Sequence, residues 1–348
     1  MIPRVYYAGI YENTDDQAIK AASMRLLETV LESERIELGK RVPIKAHFGE
    51  EGNATYLKPW HYDGIIDFLE EKGIETCFME TCVLYGGQRF KRELHQKTAE
   101  RHGFTRIPVV FADGEHGEDF SEVKIDKRHF KSFKVGKAFL DHDRIIVVSH
   151  FKGHGLAGFG GAMKQLGMGF AAKGGKLAMH MGEKPRIKAR ACKRCEACKK
   201  RCHEDALVID EKPRIDRSRC VGCGACVSAC PHGAISIISL ASVLKFLGIG
   251  NPFIEKLMEG AYAAQLGKRN VYINFAKDIT AGCDCEPKRM KPLIGDVGVF
   301  ASTDPVAIDK ACYDMVKARG KAFRGYRSFE YARRIGLGSS EYELVEAR

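Results

Sequence analysis

Amide side chains are scarce in this chain: five Asn and five Gln stand against 56 Lys and Arg and 45 Asp and Glu in 348 residues. That balance is one that thermostable proteins favour. No run of eighteen apolar residues occurs, so no transmembrane helix is expected. The opening Met1-Ile-Pro-Arg-Val-Tyr-Tyr-Ala8 has no basic stretch ahead of an apolar core, and it is not read as a signal peptide. A P-loop with Lys-Ser/Thr is lacking, and the chain is read as carrying no nicotinamide or flavin fingerprint. Hydrophobic content is an ordinary 45%, and the length suggests one large domain and one small one.

What is abundant is cysteine. Of thirteen, eight fall into two copies of one pattern, Cys192, Cys195, Cys198, Cys202 and then Cys220, Cys223, Cys226, Cys230, with Pro231 directly after the second. Each copy reads C-x2-C-x2-C-x3-C, the run by which bacterial ferredoxins hold two [4Fe–4S] clusters with crossed ligation. One cubane would take Cys192, Cys195, Cys198 and the remote Cys230, the other Cys220, Cys223, Cys226 and Cys202. Three thiolates at that spacing wrap three corners of one cube, and the fourth must come from elsewhere. Zinc sites use two separated pairs, and neither copy divides that way. A disulfide framework belongs to small secreted chains. Thirteen cysteines, mostly reserved for metal, point to a reducing cytoplasm. Ala206–Asp216 reads as a hairpin around Glu211-Lys-Pro213, and Ala234–Ile238 as another strand. His203 replaces the proline after the first run; it is either a titratable group beside the second cluster or a solvated surface histidine.

The formal net charge is +11, and between Lys184 and Arg201 nine Lys or Arg face Glu196 alone. The run straddles the first cysteine motif, so it is either a docking surface for an acidic electron carrier, such as a ferredoxin or flavodoxin, or a solvated basic face. Nucleic acid is not expected, since no aromatic platform accompanies the charge.

Outside the cysteine runs, helix and strand signals alternate. Asp15–Glu34, Tyr62–Lys72 and Gln88–His102 read as helices. Val42–Phe48, Glu75–Val83, Ile107–Phe111, Arg144–Ser149, Val271–Phe275 and Gly295–Ala301 read as strands. Ser242–Tyr262 reads as a helix broken near Gly248–Pro252, and Thr303–Asp309 opens one, with an acidic cap and Pro305 in its first turn. Such alternation predicts an α/β domain with a mainly parallel layered sheet, whose ligands lie beyond the carboxyl ends of its strands.

That rule points to the segment after Ser149, where nine glycines fall between Gly153 and Gly175. So many glycines imply close backbone approach or positive φ, either around a ligand, with Gly158, Gly160 and Gly161 as candidate binders, or in a packing or hinge segment. His150, His154, Lys164, Lys176 and His180 are the groups there able to do chemistry. Cys283 and Cys285, flanking Asp284 on a loop, could ligate a soft metal or form a redox pair. Cys77 and Cys82 are a looser pair, and Cys312 reads as core.

The run Gly158–Gly169, the Cys283-Asp-Cys285 loop and Ala301-Ser-Thr-Asp-Pro-Val-Ala-Ile-Asp309 together resemble the DUF362 iron–sulfur proteins. The resemblance implies a discontinuous α/β domain interrupted by a ferredoxin-like α+β (βαββαβ) module: residues 1–185, 186–240 and 241–348. It implies no particular reaction. Gly160-Gly-Ala-Met-Lys164 is also similar, over a short stretch, to the glycine–lysine segment of nickel-pincer lactate racemases. The expectation is an iron–sulfur electron-transfer protein with two [4Fe–4S] clusters. As an oxidoreductase it would reduce a small molecule in the α/β cleft, with His150, His154, Lys164 and His180 supplying protons or binding anions. The alternatives are a carrier or assembly partner docking a redox protein, and a metal-handling protein. Whether it forms a homo-oligomer stays open.

Overall fold

In a computed structural model the structure describes residues 2–11, 14–180, 184–202, 204–220, 222–236 and 252–347. His203, the end of the strand expected to Ile238, and residues 242–251 of the helix expected from Ser242 lie outside them.

An eight-stranded sheet organises the chain. Its strands are β1 (Arg4–Gly9), β2 (Ile44–Lys45), β3 (Phe78–Glu80), β4 (Val109–Phe111), β7 (Ile146–His150), β14 (Val271–Ala276), β15 (Gly298–Ser302) and β16 (Glu343–Glu346), in the order β16-β1-β15-β14-β7-β2-β3-β4. Only β15 runs against the rest. Strands buried on both faces read as continuous apolar runs, and every residue of β7, β14 and β15 is buried. Alternate residues serve opposite faces. Ile146, Val148, Ile273 and Phe275 pack with α1 (Asp16–Ser33) and α2 (Asp63–Glu71). Val147, Tyr272 and Phe300 pack with α4 (Ala162–Gly169) and the helices Phe253–Gln265 and Pro305–Ala318. The result is a three-layer α/β arrangement. The expected strands are present, most of them shorter, although β14 runs one residue past the expected Phe275; β1, β16 and the separate hairpin β5 (Phe120–Lys124) to β6 (Ser132–Gly136) are additional.

The helix starts follow their capping chemistry. Asp15 accepts from Ala18 N at 2.6 Å ahead of α1. Asp304 accepts from Val306 N and Ala307 N before Pro305–Ala318. α3 (Arg92–Arg101) follows β3, and α5 (Lys173–His180) follows α4.

Between Arg186 and Ser236 lies a small unit built twice. The offset is 28 residues (220 − 192). Strand β10 (Arg186–Ile187) pairs antiparallel with β13 (Ile235–Ser236), and β11 (Leu207–Val208) with β12 (Arg214–Ile215). Applying the offset to β10 gives β12, and applying it to β11 gives β13. The hydrogen bonds obey it too: Lys188 N donates to Ala234 O and Asp216 N to Ala206 O, both at 2.7 Å. So does the backbone: Arg194, Glu196 and Asp205 have φ of 54°, 57° and 44°, and their counterparts Gly222, Gly224 and Gly233 have 70°, 79° and 59°. Left-handed positions cost a non-glycine residue about 1–2 kcal/mol, so the second copy holds the turn at less strain. The short helix α6 (Ala225–Ala229) belongs to that copy. No helix among the described residues is long and apolar enough to cross a membrane.

Candidate functional site

A cavity of about 1000 Å³ opens beyond the carboxyl ends of the parallel strands, where α/β sheets hold ligands. His47 reaches it just after β2, Thr81 just after β3, and His154 from the hairpin β8 (Lys152–His154) to β9 (Gly158–Gly160) that follows β7. Cys283 and Cys285 reach it from the loop after β14, and Val227, Ile235 and Ser236 of the small two-fold unit close another wall.

The Cys283–Cys285 loop is anchored from beneath. Asp284, between the two thiols, is buried and receives His150 Nδ1 at 3.0 Å and Lys152 Nζ at 2.8 Å. His150 Nε2 donates to Lys277 O at 2.7 Å. Although burial opposes it, His150 and Lys152 hold the Asp284 carboxyl below the ordinary carboxylate range. Glu286 Oε1 accepts from Cys283 N at 2.9 Å, and Glu50 N donates to Asp284 O at 2.9 Å.

Above that anchor, Cys283 is 2% exposed and surrounded by donors. Lys164 Nζ and Cys285 N each lie 3.4 Å from its sulfur. The Cys285 thiol, Lys164 and His154 hold Cys283 well below the ordinary thiol value against its burial. Cys285 is pushed up, first by sharing its proton with Cys283 and then by burial. Cys283 raises Lys164 in turn, although burial opposes it. His154, Cys283 and Cys285 offer ligand atoms within 4.8 Å of one another, a group that could hold a metal ion, and its N/S donors suit a soft one. His154 Nδ1, however, accepts the N–H groups of Leu156 at 3.3 Å and Ala157 at 3.0 Å. The proton of the neutral imidazole therefore sits on Nε2.

The four candidate acid–base residues separate. His154, Lys164 and His180 line the cavity, and His150 does not: it is the strut under Asp284. Burial, with His154, Lys164 and Lys176 adding to it, pushes His180 down to about 4.

The glycine run divides: Gly155 and Gly169 line the cavity, while Gly158 and Gly161 are held by close packing. Gly153-His-Gly-Leu-Ala-Gly158 has the bare spacing G-x-G-x-x-G, but it forms the β8–β9 hairpin and not the strand-to-helix turn of a dinucleotide fingerprint. The N-terminus of α4 is already filled: Asp309 accepts from Ala162 N at 2.7 Å and Met163 N at 2.9 Å. A Cβ on Gly158, whose φ is +87°, would lie 2.0 Å from Arg324 O, and one on Gly161 2.3 Å from Asp309 Oδ1. A Cβ on Gly160 would meet only the Lys164 side chain, at 3.3 Å. None of Gly158, Gly160 and Gly161 lines the cavity.

Several charged groups at the opposite wall escaped the sequence reading. Lys45 Nζ pairs with Glu80 at 2.9 Å and Arg89 Nε with Glu50 at 3.0 Å, all four buried. Lys176, which the sequence did single out, donates from Nζ to Thr81 Oγ1 and Cys82 O. Cys82 is buried and its N–H donates to Asp113, while Cys77 is half-buried at the other end of β3. Cys312 is buried in the core. The available signal was a charge interrupting an apolar strand, as Lys45 and Glu80 do.

Two further hollows lie in the small unit. One is lined by Cys192, Cys195, Cys198 and Cys230, the other by Cys202, Cys220, Cys223 and Cys226. All eight are free thiols. Ala206 N donates to Cys202 Sγ and Ala234 N to Cys230 Sγ, both at 3.3 Å, one more pair related by the 28-residue offset. Ile235 lines both the first hollow and the large cavity.

Residues 42–314 match the family described as Domain of unknown function (DUF362). The chain belongs to the DUF362 family. The matched DUF362 span takes in the cavity, the Cys283–Cys285 loop and the small cysteine unit. No match was found among curated proteins. Among solved structures, the DUF362 chain is similar to a structural-genomics protein from Thermotoga maritima at 12% identity and a TM-score of 0.45, covering 88% of this chain and 60% of that one. It is similar at 13% identity and a TM-score of 0.40 to the lactate racemase apoprotein from Thermoanaerobacterium thermosaccharolyticum, covering 88% and 63%. It thus spans less than two thirds of either.

Proposed function

We propose that this protein is an iron–sulfur oxidoreductase: its ferredoxin-like insert holds two [4Fe–4S] clusters, and a small molecule in the large cavity is reduced. The observation that carries the reading is the sorting of the eight motif cysteines. Each hollow gathers three from one run and the fourth from the other, as crossed ligation requires. The fit is chemical as well: eight free thiols, and N–H donors on the two remote sulfurs, the kind of contact that tunes such centres. When bound, the clusters supply single electrons. Ile235 is the side chain between the first hollow and the cavity. There Lys164 Nζ and His154 Nε2 hold protons beside the place where a reduced substrate needs them.

Anaerobically purified protein should carry about eight iron and eight acid-labile sulfide atoms per chain. Cys230→Ser should damage the centre held by Cys192, Cys195 and Cys198 and leave the other resolved by electron paramagnetic resonance. Colourless protein, or damage confined to the centre held by Cys220, Cys223 and Cys226, would refute the assignment.

A second reading, a carrier that docks an acidic ferredoxin or flavodoxin, draws on the basic run. Lys193, Arg194, Lys199, Lys200 and Arg201 are all exposed around the first motif. Association with an acidic ferredoxin should weaken steeply as salt rises; salt-independent binding would remove the run from the interface.

A further inference from the structure

We propose that Cys283 and Cys285 form a redox-active dithiol that opens disulfides of small organic molecules entering the cavity. Both thiols line the cavity, and their sulfurs lie within 4.8 Å of each other. The loop presents them side by side because Asp284 is drawn the other way by His150 and Lys152. Cys283 is the attacking member: Lys164 Nζ and Cys285 N–H converge on its sulfur, and Lys164 has no carboxylate within ion-pair distance among the described residues. The thiolate is then the counter-ion of Lys164. A metal on the same residues would need the lone pair of His154 Nε2, and the N–H groups of Leu156 and Ala157 put the proton there instead.

The step balances within this pair and its substrate. The Cys283 thiolate attacks one substrate sulfur, a mixed disulfide forms and the other sulfur leaves as thiolate. Cys285 passes its proton to that product and attacks Cys283 Sγ, closing the Cys283–Cys285 disulfide and releasing the second product as a thiolate. The substrate gains two electrons and the cysteine pair loses two. Return to the dithiol takes two electrons, and there the inference rests on the function proposed above.

The test uses the whole protein, purified anaerobically and with iron, sulfide, zinc and nickel measured, then treated with bis(2-hydroxyethyl) disulfide. The tryptic peptide Asp278–Lys288 contains these two cysteines and no other. It should become two hydrogens lighter. Cys285→Ser should trap the hydroxyethyl adduct on Cys283, and Lys164→Gln should slow the reaction about tenfold or more, as a thiolate losing its cation does. Both variants should keep the iron and sulfide of the parent, which shows that they fold. An unchanged peptide with full iron and sulfide overturns the inference. So does one zinc or nickel per chain that is lost in Cys285→Ser. Oxidation of the peptide in protein without iron upholds the dithiol and removes only its proposed electron source.

Discussion

Asp284→Asn isolates the anchor under the two thiols. The carboxylate and its partner His150 have side chains 3% exposed, and Lys152 is 7% exposed. The amide has nearly the same shape but leaves the Lys152 ammonium buried without its countercharge. Removing one partner of a buried pair costs about 3–5 kcal/mol. Glu75→Gln gives an internal comparison, because the Arg41–Glu75 pair is 66% and 71% exposed and such pairs contribute about 0–1 kcal/mol. The assay is urea unfolding of anaerobic protein at matched iron content, followed by Trp60 emission and by far-ultraviolet circular dichroism. Coincidence of the two transitions and an unchanged slope license the comparison. The pH dependence has a definite sign. The folded-state carboxyl of Asp284 lies below its ordinary value, so its stabilisation is present above the unfolded value of about 3.9 and is lost as pH falls through the folded one. Wild type should therefore lose this contribution below about pH 4, and Asp284→Asn should lack that loss. An Asp284→Asn variant no less stable than Glu75→Gln would refute the account of the loop.

Asp309 caps α4 and takes Asn274 Nδ2 at 2.7 Å as well. Asp309→Ala orphans three buried donors and should cost about 3 kcal/mol or more, and Asp309→Asn, which turns one donor against another, about 1–3 kcal/mol, both read as shifts in urea midpoint. Burial pushes the Asp309 carboxyl up to about 7 against its N–H donors; its contribution should therefore fall as pH rises from about 4 to about 7, a slope absent from Asp309→Asn. Gly174→Leu places a Cβ 3.0 Å from Cys223 Cα and 3.1 Å from Gly222 O. Iron analysis should show about half the content, lost from the centre of Cys220, Cys223 and Cys226; full iron would show that the contact yields.

Local chemistry was legible where neighbours in sequence decide it. Ile146–Val148 is apolar without interruption, Asp304-Pro305 states a helix start, and the cysteine spacing sorts eight thiols into two sets before any coordinate is seen. The site was half legible. Cys283 and Cys285 share a face because residues two apart do, and Lys164 sits where a helix follows a glycine-rich turn. His150 and His154 lie equally near that turn, and nothing local says that one supports Asp284 while the other faces the cavity. Arg89 and Glu50 are 39 residues apart, and Lys45 and Glu80 meet only because β2 and β3 are adjacent in the sheet. Such pairs are products of topology. The glycines were ambiguous for a related reason: at Gly158 and Gly161 the approaching group is Arg324 O or Asp309, whereas Gly155 and Gly169 of the same run line the cavity, and spacing alone does not separate the two.

The position of Lys164 says which redox state of the loop the fold favours. Its side chain is half-buried at the cavity wall, and a cation partly withdrawn from water is stabilised by an adjacent anion. Glu50 and Glu80 are already committed to Arg89 and Lys45, and Asp284 to Lys152 and His150. Cys283 as thiolate is the anion left at 3.4 Å. Closing a disulfide would consume that anion and leave Lys164 uncompensated, so the charge pattern stabilises the reduced pair. Stabilising the reduced form makes a dithiol couple more oxidising. Under the proposed function, electrons delivered across Ile235 would run downhill to the cysteine pair, and the pair would in turn reduce only disulfides more oxidising than itself.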